Sequence, residues 1–250
     1  MSPPRLSVVI PIRDEKENLP PLWGELKEHL EAQGPSFEVV LVDDGSRDGS
    51  GRMIDEMASG DPRVRALHLE RPCGQSAALG AAFRAARGEL VLTMDGDLQC
   101  DPADIRRMLE TLGTLDALVG YRERRRDSLP RRLLSRWANR VRNRVLREAI
   151  RDTGCPLKLM RRDCLNRLPR FDGMHRFLPS LLQLEGFRVG QIAVNHRPRR
   201  WGQSKYGPRS RLMRPVCDLM AVRWMQRRKL SYELREEIST GRMARSSRAG

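Results

Sequence analysis

Glu89-Leu90-Val91-Leu92-Thr93-Met94-Asp95-Gly96-Asp97-Leu98-Gln99 is the stretch on which the fold turns. Residues 89–94 predict a short, buried, apolar strand that is entered through Gly88. Two carboxylates, Asp95 and Asp97, follow just past its carboxyl end with one residue between them. Hard oxygen ligands of this kind suit Mg²⁺ or Mn²⁺ held jointly with a substrate's phosphates. An isolated Asp-X-Asp is also common in solvated turns, so the reading depends on its company.

That company begins upstream. Phe37-Glu38-Val39-Val40-Leu41-Val42 predicts another apolar strand, followed by Asp43-Asp44-Gly45-Ser46-Arg47-Asp48-Gly49-Ser50. Asp48 or Ser46 suits the N-cap of a following helix, and the glycines suit unusual backbone angles. Capping does not explain two adjacent carboxylates at a strand end, where ligands of open α/β sheets gather. An acidic side chain there can accept hydrogen bonds from a uracil or guanine ring, or from ribose hydroxyls. Further strands are expected near 6–12, 64–69 and 116–121, with helices between. The alternation predicts an α/β fold with a mostly parallel sheet covered by helices on both faces.

The first strand, Leu6-Ser7-Val8-Val9-Ile10-Pro11-Ile12, runs into Arg13-Asp14-Glu15-Lys16-Glu17-Asn18-Leu19. With the Asp-Asp-Gly-Ser turn and the Asp-X-Asp, this resembles the family-2 glycosyltransferases. Three later segments narrow the likeness to the polyprenyl-phosphate branch. They are Met94 to Gln99, Asp152-Thr153-Gly154-Cys155-Pro156-Leu157-Lys158, and Arg199-Arg200-Trp201-Gly202-Gln203-Ser204-Lys205-Tyr206. That branch contains dolichyl-phosphate mannosyltransferase and its bacterial undecaprenyl-phosphate relatives. The resemblance spans Leu6 to Gly207.

It implies a Rossmann-like nucleotide-diphospho-sugar transferase fold of the GT-A type. It also implies an inverting transfer of a sugar from a UDP- or GDP-linked donor to a polyprenyl phosphate. Asp97 and Asp95, with Gln99 as an auxiliary oxygen, would hold Mg²⁺ or Mn²⁺ against the donor diphosphate. Whether Asp95 meets the ion, the ribose or the sugar stays open. Gly96 stands where relatives carry alanine or another small residue, a change expected to be harmless. Pro11, Arg13 and Glu15, with Asp43 and Asp44, are implied on the nucleoside, although Arg13 departs from the aromatic or small polar residue common there. Gly74 and Gln75 match a turn into the next helix that fits a ligand contact and a plain helix start equally well.

A lipid monophosphate arrives ionised, so it calls for cations rather than a general base. Arg122, Arg131, Arg199 and Lys205 are the candidate cations, with Ser204 as a neutral donor. Arg124 to Arg126 read instead as solvated or lipid-facing charge.

The formal charge of +15 points the same way. Twelve arginines against three acids lie between Arg122 and Arg151, so an anionic partner is expected. Nucleic acid is set aside: no such module is recognisable, and aromatic residues are only 5%. The five cysteines lack metal spacing, and their odd number with no signal peptide fits a reducing cytosol. No run reads as a transmembrane helix. Peripheral attachment to the cytoplasmic face of a membrane is expected instead, through an anionic bilayer or a small membrane partner protein.

Two helical segments carry that expectation. In 130–150, Leu134, Trp137, Val141 and Val145 recur at helical spacing, with Arg132, Arg136, Arg140 and Arg147 off the stripe. In 209–229, Met213, Val216, Met220 and Trp224 do the same among arginines. At least one stripe is expected to pack on the catalytic domain. The expected division is a catalytic domain over 1–208, a basic helical segment over 209–237 and a disordered tail over 238–250. Two rival readings remain at this stage: the same fold with a soluble saccharide acceptor, and an inactive basic module that binds membrane or nucleic acid.

Overall fold

A computed structural model of the protein describes residues 3–32, 36–123, 129–199, 201 and 213–230. Its sheet contains β1 (Leu6–Ile12), β2 (Phe37–Asp43), β3 (Val64–His68), β4 (Leu90–Thr93), β5 (Ala117–Arg122), β6 (Lys158–Arg161) and β7 (Val189–Val194). The spatial order is β3-β2-β1-β4-β6-β5-β7. All pairs are parallel except those made by β6, which runs antiparallel between β4 and β5. The helices are α1 (Leu19–Ala32), α2 (Ser50–Gly60), α3 (Gln75–Ala85), α4 (Asp104–Leu112), α5 (Leu129–Leu146), α6 (Arg162–Asn166), α7 (Leu178–Leu184) and α8 (Met213–Arg228). Side-chain descriptions begin at residue 137 in α5 and at residue 216 in α8.

Alternation along the central strands divides the core into two layers. Val8, Ile10 and Leu41 join Leu22, Leu26 and Ile105 on one face. Val9, Val40 and Val91 join Leu79, Phe83 and Leu181 on the other. A strand covered on both faces has no solvent side, so β1 and β2 read as unbroken apolar runs.

The order 3-2-1-4 places a topological switch between β1 and β4, where α/β proteins bind ligands. Register widens this gap. β4 pairs with β1 only as far as Val9 and Thr93, whereas β2 follows β1 to Ile12. Pro11, with no N–H to donate, therefore sits where the β4 side of β1 is already unpaired.

Among the described residues, the α8 stripe and the Trp137–Val141 part of the α5 stripe face away from the domain, while Val145 at the end of the α5 stripe packs against its apolar layer. Trp137 and Trp224 are each 63% exposed, and Val141, Val216 and Met220 are exposed as well. α5 buries Arg142 and Leu146 instead, and α8 buries Val222. Arg142 is accommodated by an ion pair with Glu148 at 2.9 Å and by donation to the Ile150 carbonyl at 3.0 Å. α5 and α8 pack on each other, and Val222 belongs to the same apolar layer as α3 and α7. Residues 231–250 lie outside the described residues.

Candidate active site

A cavity of about 920 Å³ opens at the carboxyl ends of β1, β2 and β4. Pro11, Arg13, Glu15 and Asp44 line it, as do Gly74, Gln75 and Asp95 to Asp97. Glu15 is buried; its backbone N–H donates to Ser50 Oγ, and its carboxylate accepts from Asn18 Nδ2. Asp44 is buried and grips the loop before α3. Its carboxylate accepts from the backbone N–H of Cys73 at 2.6 Å and of Gly74 at 3.0 Å, with Arg13 at 3.7 Å. Gly74 has φ +91 and nothing within 4 Å of the place a Cβ would take, so this loop bares its backbone to the cavity.

The two adjacent acids of the second strand part company. Asp43 does not line the cavity: its carboxylate accepts from Ser46 N–H at 2.9 Å and faces His68 at 3.5 Å. Gly51 lies so near that an added Cβ would meet Asp43 Oδ2 at 2.8 Å. Asp43 thus builds the turn that presents Asp44, a correction to its reading as a nucleoside contact.

At the end of β4, Gln75 Nε2 donates to Asp95 Oδ1 at 2.9 Å, and Arg199 donates to Asp97 Oδ2 at 2.6 Å. Burial, followed by the Asp97 carboxylate, pushes the Asp95 carboxyl up to about 7 against the opposing charges of Lys158, Arg122 and Arg199. Gly96 runs so close to β1 that a Cβ would lie 2.7 Å from Ile12 Cδ1. The short bridge Cys100–His196 and the bond from Arg197 N–H to the Gln99 carbonyl, 2.9 Å, lay the 196–199 segment beside this strand end. That placement brings Arg199 to Asp97 across about a hundred residues of sequence.

Two further expected residues, Gln99 and Arg122, stand apart from the cavity lining. The backbone N–H of Gln99 donates to Asp97 Oδ1 at 3.1 Å, and its side-chain Nε2 donates to the Arg197 carbonyl at 3.4 Å. Arg122 is held by both oxygens of Asp152, at 2.7 and 3.1 Å, and its charge favours the ionised form of Asp95. Arg131 lies on α5, but its side chain, like Ser204 and Lys205, is outside the described residues.

Sequence reasoning missed Lys158, which is buried and pairs across from Thr93 with its ammonium on the Cys155 carbonyl at 2.5 Å. Burial lowers its pKa, and Cys155, Asp95 and Asp152 oppose that shift. A lysine inside the apolar run Pro156 to Met160 was the available signal. His175, Arg176 and Asp218 also line the cavity. As single polar residues with no spacing pattern, they gave no sequence signal.

The site can bind a nucleoside at Asp44 and hold a cation at Asp95 and Asp97. The donor set fits Mg²⁺ or Mn²⁺: two carboxylates lie close enough at a strand end for the charge of one to raise the pKa of the other. No cluster of three or more metal-ligating side chains occurs among the described residues, so a substrate's phosphates would complete the coordination.

Comparison with known proteins agrees with this geometry. The profile of glycosyl transferase family 2 matches residues 7–168. The dodecaprenyl-phosphate galacturonate synthase of Rhizobium johnstonii is 37% identical over 90% of this chain and 68% of its own length. The undecaprenyl-phosphate 4-deoxy-4-formamido-L-arabinose transferase of Klebsiella pneumoniae is 35% identical over 86% of this chain and 66% of its own. The chain thus spans about two thirds of these relatives. In fold it matches a Pyrobaculum calidifontis mannosyltransferase in complex with GDP-Man and Mn²⁺, at a TM-score of 0.62 and 20% identity over 93% of this chain and 67% of that one. It also matches the Mycobacterium tuberculosis glucosyl-3-phosphoglycerate synthase with Mn²⁺, UDP and phosphoglyceric acid, at a TM-score of 0.67 and 18% identity over 91% and 80%. This chain belongs to glycosyl transferase family 2, among the polyprenyl-phosphate sugar transferases, and has the GT-A fold.

Proposed function

We propose that this protein transfers a sugar from a UDP- or GDP-linked donor to a polyprenyl phosphate at a membrane surface, by a single displacement that inverts the anomeric carbon. The observation that carries the reading is the meeting of Asp44, the Asp95–Asp97 pair and Arg199 around one cavity. Asp44, fixed by two backbone N–H groups, orients the nucleoside. Gly74 and Gln75 bring backbone and an amide to the diphosphate. Asp95 and Asp97 would hold Mg²⁺ or Mn²⁺, which when bound supplies positive charge to the leaving diphosphate. Arg199, with Lys205 and Ser204 following it in sequence, gives the acceptor phosphate cationic and neutral donors. Attack by an ionised phosphate oxygen needs no residue to remove a proton.

Attachment to the bilayer is assigned to α5 and α8. Their outward Trp137, Val141, Met220 and Trp224 suit the interfacial region, and Arg227, Arg228 and Lys229 lie exposed beside the end of α8. Basic residues near an anionic surface contribute about 1 kcal/mol each. No helix among the described residues is long and apolar enough to cross a membrane. The cytoplasmic face is the side proposed, and five free cysteines fit a reducing compartment. A small membrane protein bound to the same helices is the alternative anchor.

The test supplies radiolabelled UDP- and GDP-linked sugars with undecaprenyl phosphate, Mg²⁺ or Mn²⁺, and a soluble saccharide in parallel. Label passing into the organic phase is expected. Label found only on the soluble saccharide would overturn the lipid acceptor, and no transfer from any donor would overturn the activity.

A further inference from the structure

One part of the cavity wall lies apart from Asp44, the Asp95–Asp97 pair and Arg199 in sequence. It comes from the turn Asp172–Arg176 and from Cys217 and Asp218 at the start of α8. The wall is tied to the donor site through consecutive residues of α3: Gln75 bonds Asp95, and Ser76 bonds His175 Nδ1 at 2.7 Å. Ser76 Oγ also accepts from the Gly173 N–H at 3.0 Å. Gly173 has φ +99, and any Cβ there would collide with the Asp218 carboxylate. Turn, α3 and α8 are therefore locked together at this point, and a glycine is required twice over. Arg176 approaches Asp218 at 4.0 Å.

The contact with Ser76 fixes the orientation of the His175 ring. Ser76 Oγ accepts from Gly173, and we assign its own proton to Nδ1 of the ring, which satisfies both groups. A neutral imidazole then carries its hydrogen on Nε2. Nε2 has no hydrogen-bond partner among the described residues, while His175 lines the cavity. The ring thus offers one fixed, uncharged donor beside the aspartates of the same wall.

Resting on the glycosyl-transfer reading, we infer that His175 and Asp218 recognise hydroxyl groups of the sugar being transferred, with Ser76 positioning the imidazole. The choice between sugar and phosphate follows from charge. Two carboxylates, Asp172 and Asp218, face one guanidinium, Arg176, on this wall; the acids disfavour a phosphate and accept hydrogen bonds from hydroxyls. A neutral N–H completes the mixed donor and acceptor set that a polyhydroxyl ring requires. Burial, with Arg176 and then Lys158 nearby, depresses the His175 pKa to about 3, so the ring stays uncharged across the physiological range.

The experiment compares two ligands in each variant by calorimetric titration with Mn²⁺: the bare nucleoside diphosphate, and the nucleotide sugar that wild-type protein uses best from a panel of UDP- and GDP-linked sugars. His175→Phe should lose about tenfold in affinity for the nucleotide sugar, the worth of one good hydrogen bond, and nothing for the nucleoside diphosphate. His175→Gln keeps an N–H donor and should recover part of the loss. Ser76→Ala frees the tautomer and should lose less than His175→Phe, again only with the sugar present. Equal losses for both ligands, or no loss in variants whose thermal unfolding matches wild type, would overturn the assignment. Wild-type protein that binds no nucleotide would defeat the glycosyl-transfer reading first and this inference with it. Wild-type binding of the donor without discrimination by the variants defeats this inference alone.

Discussion

The half of the molecule from β1 to β4 and the half from β5 to α8 supply the cavity by opposite means. In the first half each site residue lies within four positions of a strand end: Glu15 after β1, Asp44 after β2, Asp95 and Asp97 after β4. The sheet alone carries them to a common edge. In the second half the contributing residues come from irregular segments, with Arg199 delivered by the bridge at Cys100–His196 and His175 by a glycine turn. Position relative to regular structure fixes the first set. Long-range packing fixes the second, so substitutions in the two halves should fail in different ways.

The largest effect is expected where the halves touch. Asp97→Asn should lower turnover by ~10²-fold or more, because a group facing developing charge is worth that much in an excluded site. The melting temperature should barely move, since Asp97 sits past the strand and outside the apolar layers. Chelation should stop the reaction, and Mg²⁺ or Mn²⁺ should restore it. Full turnover in the chelator would separate the carboxylate pair from metal altogether.

Arg199→Ala should split the halves. Use of the lipid phosphate is expected to fall about tenfold to a hundredfold, the range for a charge-assisted hydrogen bond. Nucleotide affinity in the absence of metal should hold, whereas Asp44→Ala should lose it. Arg199 also occupies Asp97 Oδ2, so the variant is expected to bind Mn²⁺ more tightly than wild type in a titration without nucleotide. Weaker Mn²⁺ binding would mean that the guanidinium supports the ion's site rather than competing for it.

The same contrast explains what the sequence reveals. β1 and β2 are legible to within a residue because strands buried on both faces announce themselves as apolar runs. β6 hides because it has only four residues, opening on Lys158 and closing on Arg161. β7 hides because it is a half-exposed edge strand containing Gly190. In α5 and α8 the helical period is readable but the buried face is not. Arg142 is inside and Trp137 outside, a reversal that depends on the partner Glu148 and on the Ile150 carbonyl, which no periodicity encodes. At the site, Asp44, Asp95 and Asp97 were legible from strand-end chemistry, while Asp43 beside them serves the turn. His175 was not legible, because its role comes from Ser76 and Gly173, which meet it only after folding.

A smaller effect probes the outward helices. Trp137→Ser with Trp224→Ser should reduce co-sedimentation with anionic vesicles several-fold and leave the melting temperature unchanged, both rings being mostly exposed. Wild-type binding should weaken with salt, as charge attraction to a surface does. Absence of binding to anionic vesicles even at low salt would transfer the anchoring role to a partner protein.

The smallest effect belongs to Gly96, where the two carboxylates pass over β1. A methyl group at this position would lie 2.7 Å from Ile12 Cδ1, closer than packed carbons tolerate, and 3.7 Å from the Pro11 carbonyl oxygen. The offending atom is the far end of a side chain that also borders the cavity, so a small rotation of Ile12 relieves it. Crowding in a packed core typically costs 1–3 kcal/mol where neighbours cannot move, roughly the upper limit here. Against it, replacing glycine where the backbone needs no positive φ reduces the freedom of the unfolded chain and stabilises by about 0.4–1 kcal/mol. The two contributions nearly cancel, so Gly96→Ala is expected to change stability by less than about 1 kcal/mol, or about 2–4 °C in Tm for a domain of this size. Nucleotide affinity should follow stability and stay near wild type. A fall of ten degrees or more would mean that Ile12 cannot turn, and that β1 and β4 hold the donor end more rigidly than their register alone requires.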